Sequence, residues 1–225
     1  MTIGWKGAIP MPHDHVSPSG HPYRPDQDAA LTYHQAMEIA IREILIEKAV
    51  TTPAEITATI EAMDRRSPAD GARVVARAWT DPDFKARLLA DGSSACREMG
   101  FDIGAMHLVV VENTEQVHNV IVCTLCSCYP RNLLGLPPDW YKQRAYRARV
   151  VREPRAVLAE FGLDLPKEMT VRVHDSTADM RYIVLPARPG GTDGMGEDAL
   201  AALVTRDAMI GVARVPTQPG DGVSS

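Results

Sequence analysis

Three of the four cysteines in this 225-residue chain lie within six residues, at positions 123, 126 and 128. This C-x-x-C-x-C motif directly follows the apolar run Val-Ile-Val at 120–122, so we expect it at the end of a strand. If the thiolates of Cys126 and Cys128 bind one ion, the backbone nitrogens of Ser127 and Cys128 fall close to the same ion and close small chelate rings. Cys123 can then cap this plane from below, which leaves a sixth position open, as catalytic metal sites require.

The motif alone leaves three other uses open. A structural zinc site usually takes two C-x-x-C pairs, or one pair plus histidines, and an iron–sulfur cluster also needs four ligands. The only remaining cysteine is Cys96, which falls in a predicted helix and which we interpret as a small buried hydrophobic residue. A redox C-x-x-C pair would leave Cys128 unexplained and lacks the usual thioredoxin-like context.

Longer stretches around the cysteines narrow the choice. Val-Cys-Thr-Leu-Cys-Ser-Cys-Tyr-Pro at 122–130 is followed by Leu-Gly-Leu-Pro-Pro-Asp-Trp-Tyr-Lys at 134–142 and by Tyr-Arg-Ala-Arg-Val-Val-Arg-Glu-Pro-Arg at 146–155. Together they resemble the α subunit of cobalt-type nitrile hydratase, and the similarity continues to roughly residue 212. The γ subunit of thiocyanate hydrolase is a close relative with the same cysteine motif.

The resemblance implies which atoms hold the metal. Cys123, Cys126 and Cys128 would be thiolate ligands, and Ser127 would bind through its deprotonated peptide nitrogen. Removing an amide proton requires a strongly polarising trivalent ion, which favours Co(III) or Fe(III) over zinc or magnesium. Thr124 is similar to the cobalt form, since the iron form has serine at that position. The resemblance therefore implies one non-corrin Co(III) ion per chain.

It also implies a modified, multi-subunit hydro-lyase. Both relatives oxidise two of the cysteines, so Cys126 would be a sulfinic acid and Cys128 a sulfenic acid, while Cys123 stays a thiolate. Water would add to a small-molecule nitrile to give an amide, with Co(III) as Lewis acid and the Cys128 sulfenate as nucleophile or base. A β-type subunit would complete an αβ or (αβ)2 assembly and supply arginines to the oxidised sulfurs, and an activator protein would load the metal.

Arg131 is the position at which the chain departs from the nitrile hydratase pattern. Nitrile hydratase α subunits commonly have tryptophan there, whereas thiocyanate hydrolase γ has arginine. A guanidinium three residues past Cys128 could reach the open position, where it suits an anionic substrate. Because Leu-Gly-Leu-Pro-Pro at 134–138 follows the nitrile hydratase form, we predict a nitrile hydratase α subunit. A cobalt thiocyanate hydrolase γ subunit is the alternative, and a metal-binding or redox-sensing protein without turnover is the alternative of a different class.

Charge and hydropathy limit the other partners. The net charge of −5 and the absence of a dense Lys/Arg run argue against nucleic acid or an anionic membrane as partner. No apolar run is long enough to span a bilayer, and the first residues lack the apolar stretch of a signal peptide. We expect a cytoplasmic protein, in which clustered thiols indicate metal binding or catalysis rather than disulfides.

We predict an α+β chain with four parts. These are a flexible tail over 1–25, a helical arm over 26–95, a metal-binding catalytic domain over 96–214 and a C-terminal tail over 215–225. Helix starts are predicted at the Ser/Thr/Asp-Pro pairs that begin at positions 52, 67 and 81. The resemblance implies that the catalytic domain is layered α/β, whereas periodicity indicates only α+β.

Within the catalytic domain, β-branched runs predict strands at 108–111, 120–122, 170–174 and 180–186. Helices are predicted at 139–147, 154–161 and 196–210. Asp175 and Asp193 are interpreted as turn residues rather than as acceptors near the metal. Of the arginines that soon follow the cysteines, at 147, 149, 152 and 155, most are expected to make ordinary ion pairs.

Overall fold

The computed structural model describes residues 31–218, so the predicted N-terminal tail and residues 219–225 lie outside the described part. Contacts between Cα atoms divide the chain into two compact units, with the boundary between Glu61 and Ala62. The sequence predicted a helical arm that extends to residue 95. The helices between 68 and 98 belong instead to the second unit, because residues such as Val75 and Phe84 are buried in its core.

The first unit holds α1 (Tyr33–Glu47) and nearly all of α2 (Pro53–Asp64). The helix start predicted at Thr52-Pro53 is confirmed and carries a capping box: the Glu55 backbone N–H donates to the Thr52 hydroxyl, and the Thr52 N–H donates to the Glu55 carboxylate. No residue of α1 is buried. Met37, Ile41, Ile44 and Leu45 form an apolar stripe on this helix and are 37–50 % exposed.

The second unit contains two parallel two-stranded sheets. Strand β1 (His107–Glu112) pairs with β4 (Met180–Leu185), and β2 (Val117–Val122) pairs with β3 (Thr170–Asp175). The first and last strands along the chain therefore form one sheet, and the two middle strands form the other. In the second sheet Val122 is the register partner of Asp175, so the end of β3 lies beside the start of the cysteine motif.

Short helices surround these strands and supply much of the core. They are α3 Pro68–Thr80, α4 Pro82–Ala90, α5 Gly92–Glu98, α6 Arg131–Leu134, α7 Asp139–Lys142, α8 Arg144–Arg149, α9 Pro154–Glu160, α10 Glu197–Ala201 and α11 Arg206–Ile210. The mixed α+β class predicted from the sequence is confirmed. Within residues 31–218 no helix is long and apolar enough to cross a membrane.

Two predicted helices are each broken into two. The helix expected over 139–147 stops at Gln143, whose backbone is extended at φ −66° and ψ 137°. A continuous helix would point Tyr141 and Tyr146 to widely different directions, whereas the break lets both side chains be buried. The helix expected over 196–210 is interrupted before Thr205, which is extended and caps α11 through its hydroxyl.

Candidate metal centre

The structure brings the three predicted cysteine sulfurs together at the end of β2. The Sγ atoms of Cys123 and Cys126 are 3.7 Å apart, those of Cys126 and Cys128 are 3.2 Å apart, and all three lie within 4.8 Å of one another. Cys123 is buried, Cys128 is half-buried and Cys126 is exposed. The site therefore has a closed floor at Cys123 and an open side at Cys126, as a centre with one free coordination position needs.

The backbone of the motif also points into this cluster. The amide N–H of Cys126 donates to the Cys123 sulfur at 3.3 Å, and the N–H groups of Ser127 and Cys128 face the same sulfur. Ser127 reaches this arrangement with φ at 93°, a backbone conformation that costs energy for a residue with a Cβ. The backbone nitrogens of Ser127 and Cys128 thus lie on the same side of the motif as the sulfurs, as expected if all of them bind one ion.

The thiols of the cluster differ in acidity. Burial raises the pKa of Cys123, but hydrogen bonds from the Cys126, Cys128 and Ser127 amides outweigh it and lower that pKa to about 7. The pKa of Cys128 is raised to about 12, mainly by burial and to a smaller extent by hydrogen bonds with Cys126 and Cys123. Cys123 is therefore the more readily deprotonated of this pair, which suits a thiolate held beneath a metal ion.

The turn formed by Thr124 and Leu125 is held from two directions. The Asp175 carboxylate accepts the Thr124 backbone N–H at 2.9 Å and the Thr124 hydroxyl at 2.6 Å. The Arg147 guanidinium donates to the carbonyls of Thr124 at 3.2 Å and Leu125 at 2.9 Å. The interpretation of Asp175 as a plain turn residue is wrong, because the parallel register of β2 and β3 brings it to the cysteine motif.

Two tyrosines that the sequence analysis did not single out also hold the motif. The Tyr141 hydroxyl donates to the Cys128 carbonyl at 2.9 Å, and the Tyr146 hydroxyl donates to the Ile121 carbonyl at 2.7 Å. Both rings are buried. The residues occur in a stretch that carried the family resemblance, which was the only signal available, since periodicity does not reveal what a side chain reaches.

Arg131 is the first residue of α6 and is exposed. Within residues 31–218 its side chain has no hydrogen bond and no ion pair. If the guanidinium is paired in the working protein, its partner therefore comes from outside this part of the chain. Two exposed apolar side chains occur in the same region of the sequence: Leu125 is 87 % exposed and Leu136 is 63 % exposed.

The remaining residues that the sequence singled out, Cys96, Arg149 and Arg155, make their contacts away from the cysteine motif. Cys96 is fully buried in α5, so its interpretation as a small buried hydrophobic residue is confirmed, and burial raises its pKa to about 12. Arg149 makes ion pairs with Glu153 and Glu160. Arg155 donates to backbone carbonyls of the 165–169 loop.

The chain is similar to known proteins over most of its length. A family model described as nitrile hydratase, alpha chain, matches residues 32–213. The low-molecular weight cobalt-containing nitrile hydratase subunit alpha of Rhodococcus rhodochrous is 53% identical over 184 residues, which cover 80% of this chain and 87% of that protein.

Two further relatives have a different activity or a different metal in their names. The thiocyanate hydrolase subunit gamma of Thiobacillus thioparus is 44% identical over 203 residues, covering 85% of this chain and 83% of that protein. A solved double mutant of the Fe-type nitrile hydratase from Comamonas testosteroni Ni1 is 44% identical with a TM-score of 0.74, covering 83% and 92% of the two chains.

Proposed function

The chain belongs to the nitrile hydratase alpha chain family and is an alpha subunit of such an enzyme; we propose that it hydrates nitriles to amides at a cobalt ion held by its cysteine motif. The observation that carries this proposal is the assembly of three sulfurs within 4.8 Å with the Ser127 and Cys128 amides facing the same cluster. Three thiolates and two deprotonated amides form a strongly donating set, which fits a trivalent ion.

The residues have separate roles in this proposal. Cys123, Cys126 and Cys128, with the amide nitrogens of Ser127 and Cys128, would hold the ion, and Co(III) bound there would supply Lewis acidity to the substrate. With dioxygen as the oxidant, Cys126 would gain two oxygen atoms to become the sulfinic acid and Cys128 one to become the sulfenic acid. The Cys128 sulfenate oxygen would then attack the nitrile carbon, with water restoring the sulfenate oxygen as the amide is released, or would remove a proton from a water that attacks the nitrile itself.

Cobalt is favoured over iron by Thr124, which follows the cobalt form in the resemblance, and by the 53% identity to a cobalt-containing relative. The iron-type relative is 44% identical. We therefore propose one non-corrin Co(III) ion per chain, loaded by an activator protein in the cytoplasm.

A β-type subunit is the proposed partner. Since the family name is that of an alpha chain, at least one other subunit type is implied. The apolar stripe of α1 is exposed along its length, although such side chains are stabilised by burial. We propose that the β-type subunit covers it in an αβ or (αβ)2 assembly and supplies arginines to the oxidised sulfurs. Full activity from this chain as a monomer on gel filtration would contradict this.

Metal analysis and mass spectrometry of active enzyme test the proposal. We expect about one cobalt per chain, by the ligand set above. The peptide that spans 123–128 should carry two added oxygens on Cys126, one on Cys128 and none on Cys123. Zinc together with three unmodified thiols in active enzyme would contradict the proposed centre.

Thiocyanate hydrolysis by a γ-type subunit is the second candidate, and Arg131 is the observation that favours it. The side chain is exposed and has no partner within the described residues, so its charge is free to face an anionic substrate. The proposal of nitrile hydration instead pairs the Arg131 guanidinium with a carboxylate outside residues 31–218, in this chain or in the partner subunit.

A further inference from the structure

The carbonyl groups of the cysteine motif are held by one short stretch of chain. Within residues 31–218, the side chains that donate to carbonyls of the motif, and to that of Ile121 in β2 just before it, come from the seven residues 141–147. This stretch, here called the template segment, spans the end of α7 and the first four residues of α8. The hydrogen bonds run from Tyr141 to Cys128 O at 2.9 Å, Tyr146 to Ile121 O at 2.7 Å, and Arg147 to Thr124 O at 3.2 Å and Leu125 O at 2.9 Å.

This arrangement addresses a physical difficulty of the site. Three thiolates crowded together repel one another once they are deprotonated, and the positive φ of Ser127 adds backbone strain. Past Val122 the motif leaves β2, so no strand ladder fixes its backbone. A strained loop of this kind persists only where surrounding contacts over-determine its conformation.

We propose that the template segment shapes the cysteine motif before metal binds, and that Arg147 is its principal positioning residue. One terminal nitrogen of Arg147 bridges two successive carbonyls, which fixes the turn between Cys123 and Cys126. That turn sets the distance between the buried sulfur and the two outer sulfurs. The inference rests on the proposed metal site, since it concerns how readily that site accepts an ion.

The contacts of Arg147 favour this role over an ordinary structural one. Within residues 31–218 its side-chain hydrogen bonds all go to the motif, and its buried Nε has no partner. Arg149, two residues further along α8, makes its ion pairs with Glu153 and Glu160 instead. The same short helix thus offers a test residue and a matched control.

The test measures metal binding by the full-length, reduced, metal-free chain under anaerobic conditions. Co²⁺ is titrated against a competing chelator and followed by thiolate-to-cobalt charge-transfer absorption. Arg147→Gln should bind Co²⁺ about 10- to 100-fold more weakly, the range typical when a residue that orients metal ligands is lost. Arg147→Lys keeps the charge but loses the planar guanidinium, so its Co²⁺ affinity should lie between those of the unaltered chain and Arg147→Gln. Arg149→Gln should bind as the unaltered chain does.

Thermal unfolding of the metal-free variants separates positioning from stability. Arg147→Gln and Arg149→Gln should melt at similar temperatures, since both side chains are partly exposed. Equal Co²⁺ affinity in these two variants would overturn the inference. If Arg147→Gln unfolds, Tyr141→Phe keeps the buried ring and removes only the hydroxyl, and unchanged affinity in that variant would overturn it equally. Failure of the unaltered chain to bind Co²⁺ would instead count against the proposed cobalt site.

Discussion

Asp175 accepts both the backbone N–H and the hydroxyl of Thr124, at 2.9 Å and 2.6 Å. The two residues are 51 positions apart, and the parallel pairing of β2 with β3 brings them together at the end of the sheet. Through this pair the turn between Cys123 and Cys126 is fixed to the core of the second unit.

Asp175→Ala should therefore loosen this turn. The backbone N–H and the hydroxyl of Thr124 would then donate to water instead. Because the pair is exposed, we expect the free energy of unfolding to decrease by only about 1 kcal/mol. The cobalt content of purified enzyme should fall more clearly than the stability does. Asp175→Asn keeps one acceptor oxygen and should retain more metal. Full cobalt loading in the alanine variant would show that the turn holds without this carboxylate.

Serine in place of Cys123, Cys126 or Cys128 should abolish cobalt uptake, because no neighbouring side chain can replace the lost coordination bond. Cys96→Ala is the control. It should retain metal and turnover and lose about 1 kcal/mol of stability, since the truncated side chain is small and buried. Metal analysis and thermal unfolding measure both effects. Loss of cobalt in the Cys96 variant would require a different ligand set.

Arg131→Trp should separate the two candidate substrates. A cation beside the open position attracts an anion and costs desolvation when a neutral apolar nitrile packs against it. For a nitrile hydratase we expect turnover of acrylonitrile and of a bulky heteroaromatic nitrile to exceed that of thiocyanate, with the bulky substrate disfavoured by the tryptophan. Thiocyanate turnover well above both nitriles, and lost in the variant, would assign the chain to thiocyanate hydrolysis.

Gly211→Ala should destabilise the fold strongly. Gly211 has φ 92°, and a Cβ there would lie 2.1 Å from the Asn119 carbonyl oxygen of β2. Backbone strain and the clash with a strand together should cost about 3 kcal/mol or more. Gly162→Ala is the matched control: φ is 81° but nothing lies within 4 Å of the Cβ, so strain alone should cost about 1–2 kcal/mol. Chemical denaturation compares the two, and equal losses would remove the clash as a cause.

The stability of the chain should decrease as pH falls below about 6.5, the ordinary pKa of histidine. Burial lowers the pKa of His118, although its hydrogen bond to the Gly211 carbonyl opposes this. Because the folded chain binds this proton less readily than the unfolded chain, neutral His118 contributes stability that is fully present above pH 6.5 and is lost on acidification.

Melting temperatures measured between pH 7.5 and pH 5 should show this fall. His118→Gln removes the titrating ring, so the melting temperature of this variant should fall less steeply as the pH decreases. His174, whose pKa is also lowered by burial, should leave a residual slope in the same direction. An unchanged slope in the His118 variant would show that other groups control the acid range.

Local sequence determined the cysteine motif, most helix starts and the positions of the strands. A C-x-x-C-x-C motif can close small chelate rings around an ion by itself, and the capping contact of Thr52 with Glu55 spans only three residues. Such features depend on covalent geometry and on neighbours in the chain. The family resemblance added the metal and the reaction class, which spacing alone left open.

The tertiary structure decided which residues hold the motif in shape. Asp175 reaches Thr124 because β2 pairs with β3. Arg147 reaches the same turn from α8, a separate helix that follows the break at Gln143. Strand pairing and buried side-chain contacts join residues that are distant in the chain, and their free energies depend on the whole core. Periodicity identifies an element but carries no information about its partner, and for that reason these contacts emerged only from the folded chain.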